Sequence, residues 1–131
     1  MKKILENDFA TLVIYPEKGI IHHTFHKFIF GEHFQEAMTK GADAFVANNC
    51  SKWLSDDRGN AALRQQDAEW GREFWENRIL GAGWKYWAVI PPVKAIGKLN
   101  IKAFIERYKS KGVVVEIFDN LDSALKWLES K

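Results

Sequence analysis

Residues 84–92 read Trp-Lys-Tyr-Trp-Ala-Val-Ile-Pro-Pro, and this stretch decides the class of fold. Aromatic and β-branched residues dominate Trp84–Ile90, which predicts a strand. Because proline has no backbone N–H to donate to a sheet, the Pro91-Pro92 pair ends that strand. Helical patterns of apolar residues flank it, over Gln66–Leu80 before and Gly97–Tyr108 after. A strand between two helices predicts an α/β protein with parallel strands.

The same alternation extends to both ends of the chain. Two apolar runs interrupted by Pro16–Gly19 predict a β-hairpin. From Gly31, apolar residues recur every three or four positions as far as Val46, which predicts a helix. The predicted strands are Phe9–Tyr15, Ile20–Phe25, Lys52–Ser55, Trp84–Ile90 and Val113–Phe118, and a last helix covers residues 121–128. We therefore predict a single α/β domain over residues 1–131, with a five-stranded mixed sheet and about four helices in the order β-β-α-β-α-β-α-β-α.

The composition excludes several classes of function. Lys+Arg 19 against Asp+Glu 17 gives a net charge of +2 with the charges interspersed, so we expect no nucleic-acid partner. No apolar run reaches the ~18 residues of a membrane span, and the N-terminal apolar run is too short for a signal peptide. Cys50 is the single cysteine, so no internal disulfide can form. These features predict a cytoplasmic protein, and an aromatic content of 14% predicts a large core.

Three segments resemble a known bacterial family. They are Lys52–Asn60 (KWLSDDRGN), Gly83–Ala88 (GWKYWA) and Ala124–Leu128 (ALKWL). Together with the order of elements, they resemble the SpoIIAA-like proteins, which share the STAS fold of bacterial anti-anti-sigma factors. The resemblance spans nearly the whole chain. It implies a STAS-like fold and the binding of a protein partner, and it implies no known chemistry.

One departure from that family bears on regulation. Anti-anti-sigma factors present a phosphorylatable Ser where the helix after the central strand begins. Here that stretch is Arg64–Glu69 (RQQDAE), and no Ser or Thr occurs between Asn60 and Leu80. We therefore predict that a serine kinase of the anti-sigma type phosphorylates no residue in this segment.

The polar loop after the third predicted strand is the best candidate for a binding site. Asp56, Asp57, Arg58 and Asn60 follow that strand at the end where open α/β sheets bind ligands. Two carboxylates beside an arginine can orient a polar ligand or exchange protons with it. Equally, the arginine can neutralise the pair while Asp57 or Asn60 caps a turn. The sequence leaves both interpretations open.

Aromatic residues extend this candidate site. If Trp70, Trp84 and Tyr86 border the loop, they form the walls of a pocket with a few convergent polar groups, as small-molecule sites have. Packing of the same rings in the core is the alternative interpretation.

Four histidines raise the question of a metal site. They are His22, His23, His26 and His33. On a strand, His22 and His26 share one face while His23 points to the other, so at most two imidazoles converge there. We therefore predict no metal site. We also predict no cofactor, because the sequence contains no glycine-rich phosphate-binding loop.

The residues therefore favour a binding protein over an enzyme. Cys50 has no neighbouring base, and Ser55 lacks the Gly-x-Ser-x-Gly context of a nucleophile. We predict a non-catalytic regulatory or protein-interaction module of the SpoIIAA-like type, without the phospho-acceptor Ser. The alternative is a carrier or sensor of a small, partly apolar, lipid-like ligand in an aromatic-lined cleft. A homodimer is expected rather than a monomer, because sheet edges favour pairing and the small net charge repels weakly.

Overall fold

A mixed sheet of six strands forms the centre of the computed structural model, which describes residues 1–131. The strands are β1 (Lys2–Glu6), β2 (Ala10–Tyr15), β3 (Ile20–Phe25), β4 (Lys52–Asp56), β5 (Tyr86–Ile90) and β6 (Val114–Ile117). They lie in the sheet in the same order as in the chain. β1, β2 and β3 pair antiparallel, and β3 to β6 pair parallel. The predicted α/β class with a mixed sheet is confirmed.

The prediction of five strands is wrong, because Lys2–Glu6 forms an additional edge strand. This segment carries three charged residues, so its composition alone indicates no strand. It becomes one by pairing with β2, with Lys3 opposite Val13 and an irregularity before Leu5. Charged side chains and irregular pairing are typical of edge strands, which must discourage further pairing.

Four helices connect and cover the strands. They are α1 (Gly31–Ala47), α2 (Gln65–Gly81), α3 (Ala95–Ser110) and α4 (Leu121–Glu129). α2 consists of three consecutive segments, of which the middle one, Gly71–Glu76, is π-helical. The helices predicted from the sequence are all present, with ends that differ by a few residues.

The sheet separates two hydrophobic cores of unequal size. The larger core of 22 buried residues packs α1, α2 and α3 on one face of the sheet. The smaller core of 6 residues packs α4 on the other face, through Ala124 and Leu128. Neighbouring residues of β4 face opposite cores, since Trp53 belongs to the larger and Leu54 to the smaller. The alternation of the strands therefore decides which side chains reach a given face.

Candidate ligand-binding cleft

A cleft opens on the larger core, between the sheet and helices α1 to α3. Its cavity has a volume of about 90 Å³, and 13 of its 22 lining residues are hydrophobic. Phe25, Phe34, Trp53, Trp75, Trp84, Trp87, Phe104 and Tyr108 supply its aromatic walls. Its polar end lies where β4 passes into the following loop, at Asp57 and Asn60. The cleft thus occupies the carboxyl ends of parallel strands, where α/β sheets bind ligands.

A buried chain of hydrogen bonds runs across the floor of the cleft. Trp53 Nε1 donates to His23 Nδ1 at 2.9 Å, and His23 Nε2 lies 2.8 Å from Asp57 Oδ1. All three residues are buried, with 1%, 4% and 6% of their surfaces exposed. An indole nitrogen can only donate, so His23 Nδ1 carries no proton in this arrangement. The proton therefore resides on Nε2, which donates to Asp57, and the imidazole is neutral.

Ser55 lies beside this chain and does not join it. It is the register partner of His23 on the adjacent strand, and its Oγ accepts a hydrogen bond from Trp87 Nε1 at 2.8 Å. Both ring nitrogens of His23 are already engaged, so neither can take the proton of the Ser55 hydroxyl. Serine, histidine and aspartate are neighbours here without the base–nucleophile contact that acyl transfer requires.

Two residues that line the cleft, Asn60 and Trp75, carry polar atoms without a hydrogen-bond partner in the chain. Asn60 Oδ1 accepts from the backbone N–H of Ile29 at 3.2 Å, and its amide nitrogen makes no hydrogen bond within the chain. The Nε1 atom of Trp75 is fully buried and has no hydrogen-bond partner. A buried donor without an acceptor costs about 1–3 kcal/mol, and natural proteins retain few of them.

The π-helical part of α2 forms one side of the cleft. Gly71 and Trp75 belong to this segment, and both line the cavity. The wider π turn replaces the regular hydrogen bonds of an α-helix, and such turns occur frequently at functional sites. α2 therefore contributes to the cleft wall both from this irregular segment and from Asp67 and Ala68 of the regular segment before it.

The structure brings three of the seven predicted site residues together. Asp57, Asn60 and Trp84 line the cleft. Asp56, Arg58, Trp70 and Tyr86 do not line it. Tyr86 contacts Trp127 of α4, with ring centroids 6.1 Å apart, because β5 alternates and Tyr86 faces the smaller core. Trp70 packs on the outside of Phe34, with ring centroids 5.9 Å apart.

Asp56 and Arg58 form a separate ion pair. The Arg58 side chain donates to the two Asp56 oxygens at 2.9 and 2.8 Å, and its backbone N–H lies 3.3 Å from one of them. Burial acts to raise the pKa of Asp56, but the hydrogen bonds and charge of Arg58 outweigh it and hold that pKa below its usual value. Gly59 lets this loop pass close to β3, since a Cβ there would lie 2.5 Å from the carbonyl oxygen of Phe25. The geometry favours a structural role for Arg58, in which its ion pair with Asp56 stabilises the loop.

The central residue of the cleft floor, His23, was missed as a site residue. A signal for it exists in the sequence: on an alternating strand it shares a face with Ile21 and Phe25, so an apolar face carries one imidazole. Such a residue needs buried polar partners, and the sequence does not reveal that Trp53 and Asp57 supply them.

Metal binding and thiol chemistry gain no support from the remaining reactive groups. No three His, Cys, Asp or Glu side chains group closely enough to hold a metal ion. Cys50 is buried, and burial raises the pKa of its thiol to about 11, so it stays protonated near neutral pH. None of the helices is long and apolar enough to cross a membrane.

Comparisons of the chain with protein-family models, with curated proteins and with solved structures find no match. The resemblance to SpoIIAA-like proteins therefore stays a prediction, and the cleft has to be interpreted from its own geometry.

Proposed function

We propose that the protein is a carrier or sensor that binds a small, mainly apolar ligand in the cleft of the larger core. The observation that carries this proposal is an aromatic-walled cavity with a few buried polar groups, Asp57 and Asn60, at one end. Small-molecule sites combine large apolar contact area with a small number of polar groups that fix orientation.

A further observation supports a ligand in this place. Gly71 and Trp75 of the π-helical segment of α2 line the cleft, and π turns occur frequently at functional sites. We propose binding without catalysis, since His23 holds both of its nitrogens in structural hydrogen bonds.

A matched pair of variants tests the proposal. Ala68 lines the cleft, whereas Ala47 is exposed at the end of α1. Nile red, a neutral apolar dye, should gain fluorescence with the wild type and with Ala47→Phe, and Ala68→Phe should weaken its binding at least tenfold. Native mass spectrometry of the purified proteins should in addition show a bound mass in the wild type and in Ala47→Phe, and none in Ala68→Phe. Equal dye binding by a folded Ala68→Phe protein would show that the cleft is not the site.

A second candidate function follows from the resemblance to SpoIIAA-like modules, which implies binding of a protein partner through a STAS-like fold. An exposed apolar stripe favours it: Val93, Ile96 and Leu99 leave 71%, 63% and 72% of their surfaces exposed at the start of α3. We propose a second copy of this chain as that partner. Sedimentation should then show a dimer that Leu99→Glu dissociates, and a single 15.1 kDa species at high concentration would contradict it.

A further inference from the structure

The charges that line the cleft are not balanced. No lysine or arginine lines it, and its two carboxylates are those of Asp57 and Asp67. Asp67 is compensated, because its oxygens accept hydrogen bonds from Arg64 and from the backbone N–H of Gly31. Asp57 has only His23 within 4.0 Å as a basic group, and its side chain is 8% exposed.

His23 does not supply the missing positive charge. Trp53 donates to Nδ1, so the imidazole holds a single proton, on Nε2. A neutral imidazole donates one hydrogen bond to Asp57 but does not neutralise the negative charge of the Asp57 carboxylate. The neighbouring Arg58 is no substitute, because its guanidinium is bound to Asp56.

The surroundings of Asp57 suit a cation in a second respect. Its Oδ2 atom makes no hydrogen bond within the chain, although the residue is buried at the polar end of the cleft. The wall beyond it consists mainly of aromatic rings, with Trp75, Trp84 and Tyr108 in edge contact. Aromatic faces attract cations, and a carboxylate without a counter-charge in a poorly solvated cavity attracts them more strongly.

We infer that the ligand of the cleft is an organic cation, with an ammonium group at Asp57 and an apolar body against the aromatic walls. This inference rests on the proposed function and adds the chemical class of the ligand. It sets the cleft apart from sites for fatty acids, since a carboxylate placed beside Asp57 would meet a like charge.

Three probes of the same size test the charge preference. They are 4-phenylbutylamine, 4-phenylbutan-1-ol and 4-phenylbutyrate, which differ in charge and share one apolar body. Titration calorimetry and tryptophan fluorescence at pH 7 should show that the amine binds at least tenfold more tightly than the alcohol, and the carboxylate most weakly. Ethylamine, which has the charge without the apolar body, should bind at least tenfold more weakly than 4-phenylbutylamine.

Two variants locate the preference at one residue. Asp57→Asn keeps an acceptor for His23 and removes the charge, so the amine should lose its advantage while the alcohol still binds. Asp8→Asn makes the same change at an exposed position and should leave all affinities unchanged. Thermal melts establish that each variant is folded, and the comparison of the three probes on the wild type needs no variant.

The outcomes separate this inference from the proposed function. If the alcohol or the carboxylate binds as tightly as the amine, and Ala68→Phe blocks that binding, the cleft binds ligands and the inference of a cation is wrong. If ethylamine binds as tightly as 4-phenylbutylamine, the apolar body is not recognised and the inference is equally wrong. If no probe and no Nile red binds, the proposed function and this inference fail together.

The protonation of His23 provides an independent check. Nitrogen-15 NMR at pH 7 should show Nδ1 of His23 without a proton and Nε2 with one. A doubly protonated His23 would already neutralise Asp57, and the inference would be overturned.

Discussion

Replacing Arg58 with alanine tests whether one ion pair holds the loop after β4. The Arg58 guanidinium donates two hydrogen bonds to Asp56, whose side chain is only 5% exposed. The Arg58 side chain is itself 44% exposed, so water can replace part of the hydrogen bonding to Asp56 that the substitution removes. Two hydrogen bonds to a buried charge, discounted for that exposure, correspond to a loss of about 2 kcal/mol in the free energy of unfolding. In a chain of this length the melting temperature should fall by roughly 6–10 °C.

A second ion pair provides the matched control. Arg78 contacts Asp43 at 2.7 Å and is 41% exposed, much like Arg58, but the Asp43 side chain is 60% exposed. Arg78→Ala should therefore cost less than about 1 kcal/mol, as exposed ion pairs do. The difference between the two variants isolates the burial of the carboxylate as the cause.

The pH dependence tests the same cause in another way. Arg58 holds the pKa of Asp56 below its usual value. The ion pair therefore stabilises the folded protein near neutral pH, and this stabilisation is lost as the pH falls through the acidic range and Asp56 becomes protonated. In the variant without Arg58, burial raises the pKa of Asp56. Protonation of Asp56 then removes a buried, unpaired charge, which stabilises the folded variant as the pH falls. The gap in unfolding free energy between wild type and Arg58→Ala should therefore narrow from pH 7 to pH 4 in urea titrations.

Two results would refute this reasoning. One is an Arg58→Ala protein no less stable than Arg78→Ala, and the other is a gap that does not change with pH. Because Arg58 lies outside the cleft, Nile red binding should also be unchanged. A loss of binding without a loss of stability would restore Arg58 as a site residue.

Two further predictions concern the packing of α1 and His22, one of the two buried histidines of β3. Gly41→Ala should lower the free energy of unfolding by about 1–3 kcal/mol, because a Cβ there would lie 2.6 Å from the ring of Trp53. Gly81→Ala is the control, since a Cβ at that position meets nothing within 4 Å and should not destabilise the protein. Equal stabilities of the two variants in urea titrations would contradict the close approach of Gly41 to Trp53. Burial lowers the pKa of His22 to about 4. Between its usual pKa and that value, His22 takes up a proton in the unfolded chain but not in the folded one, so the free energy of unfolding falls as the pH is lowered through this range. His22→Phe should remove about 2 kcal/mol of the stability difference between pH 7 and pH 5, and an unchanged difference would show that His22 does not cause it.

The elements of the fold could be predicted wherever one segment carries its own pattern. Trp84–Ile90 indicates a strand through its composition, and the observed strand is Tyr86–Ile90. Lys2–Glu6 could not be predicted in this way, because an edge strand is stabilised by its partner β2 and needs no apolar pattern of its own.

The candidate site could be predicted only in part, for a geometric reason. The sequence predicts a site in the polar stretch Asp56–Asn60, of which Asp57 and Asn60 line the cleft. Asp56 and Asp57 are neighbours in the chain, but they contact different partners. Asp57 turns to His23 and the cleft, while Asp56 is bound by Arg58. Neighbouring residues of an extended chain point to opposite sides, and the sequence does not reveal which side holds the cavity.

The sequence by itself determined the α/β class, the order of most elements and the stretch that supplies the polar end of the cleft, since periodicity and turn residues act over a few positions. Only the tertiary structure decided that His23, Trp53 and Asp57 form one buried chain of hydrogen bonds and that no lysine or arginine side chain lies within 4.0 Å of Asp57. These residues are separated by as many as 34 positions, and the register between β3 and β4 brings them together. Hydrogen bonds and charge balance depend on distances of a few ångströms between such segments, and spacing along the chain carries no record of them.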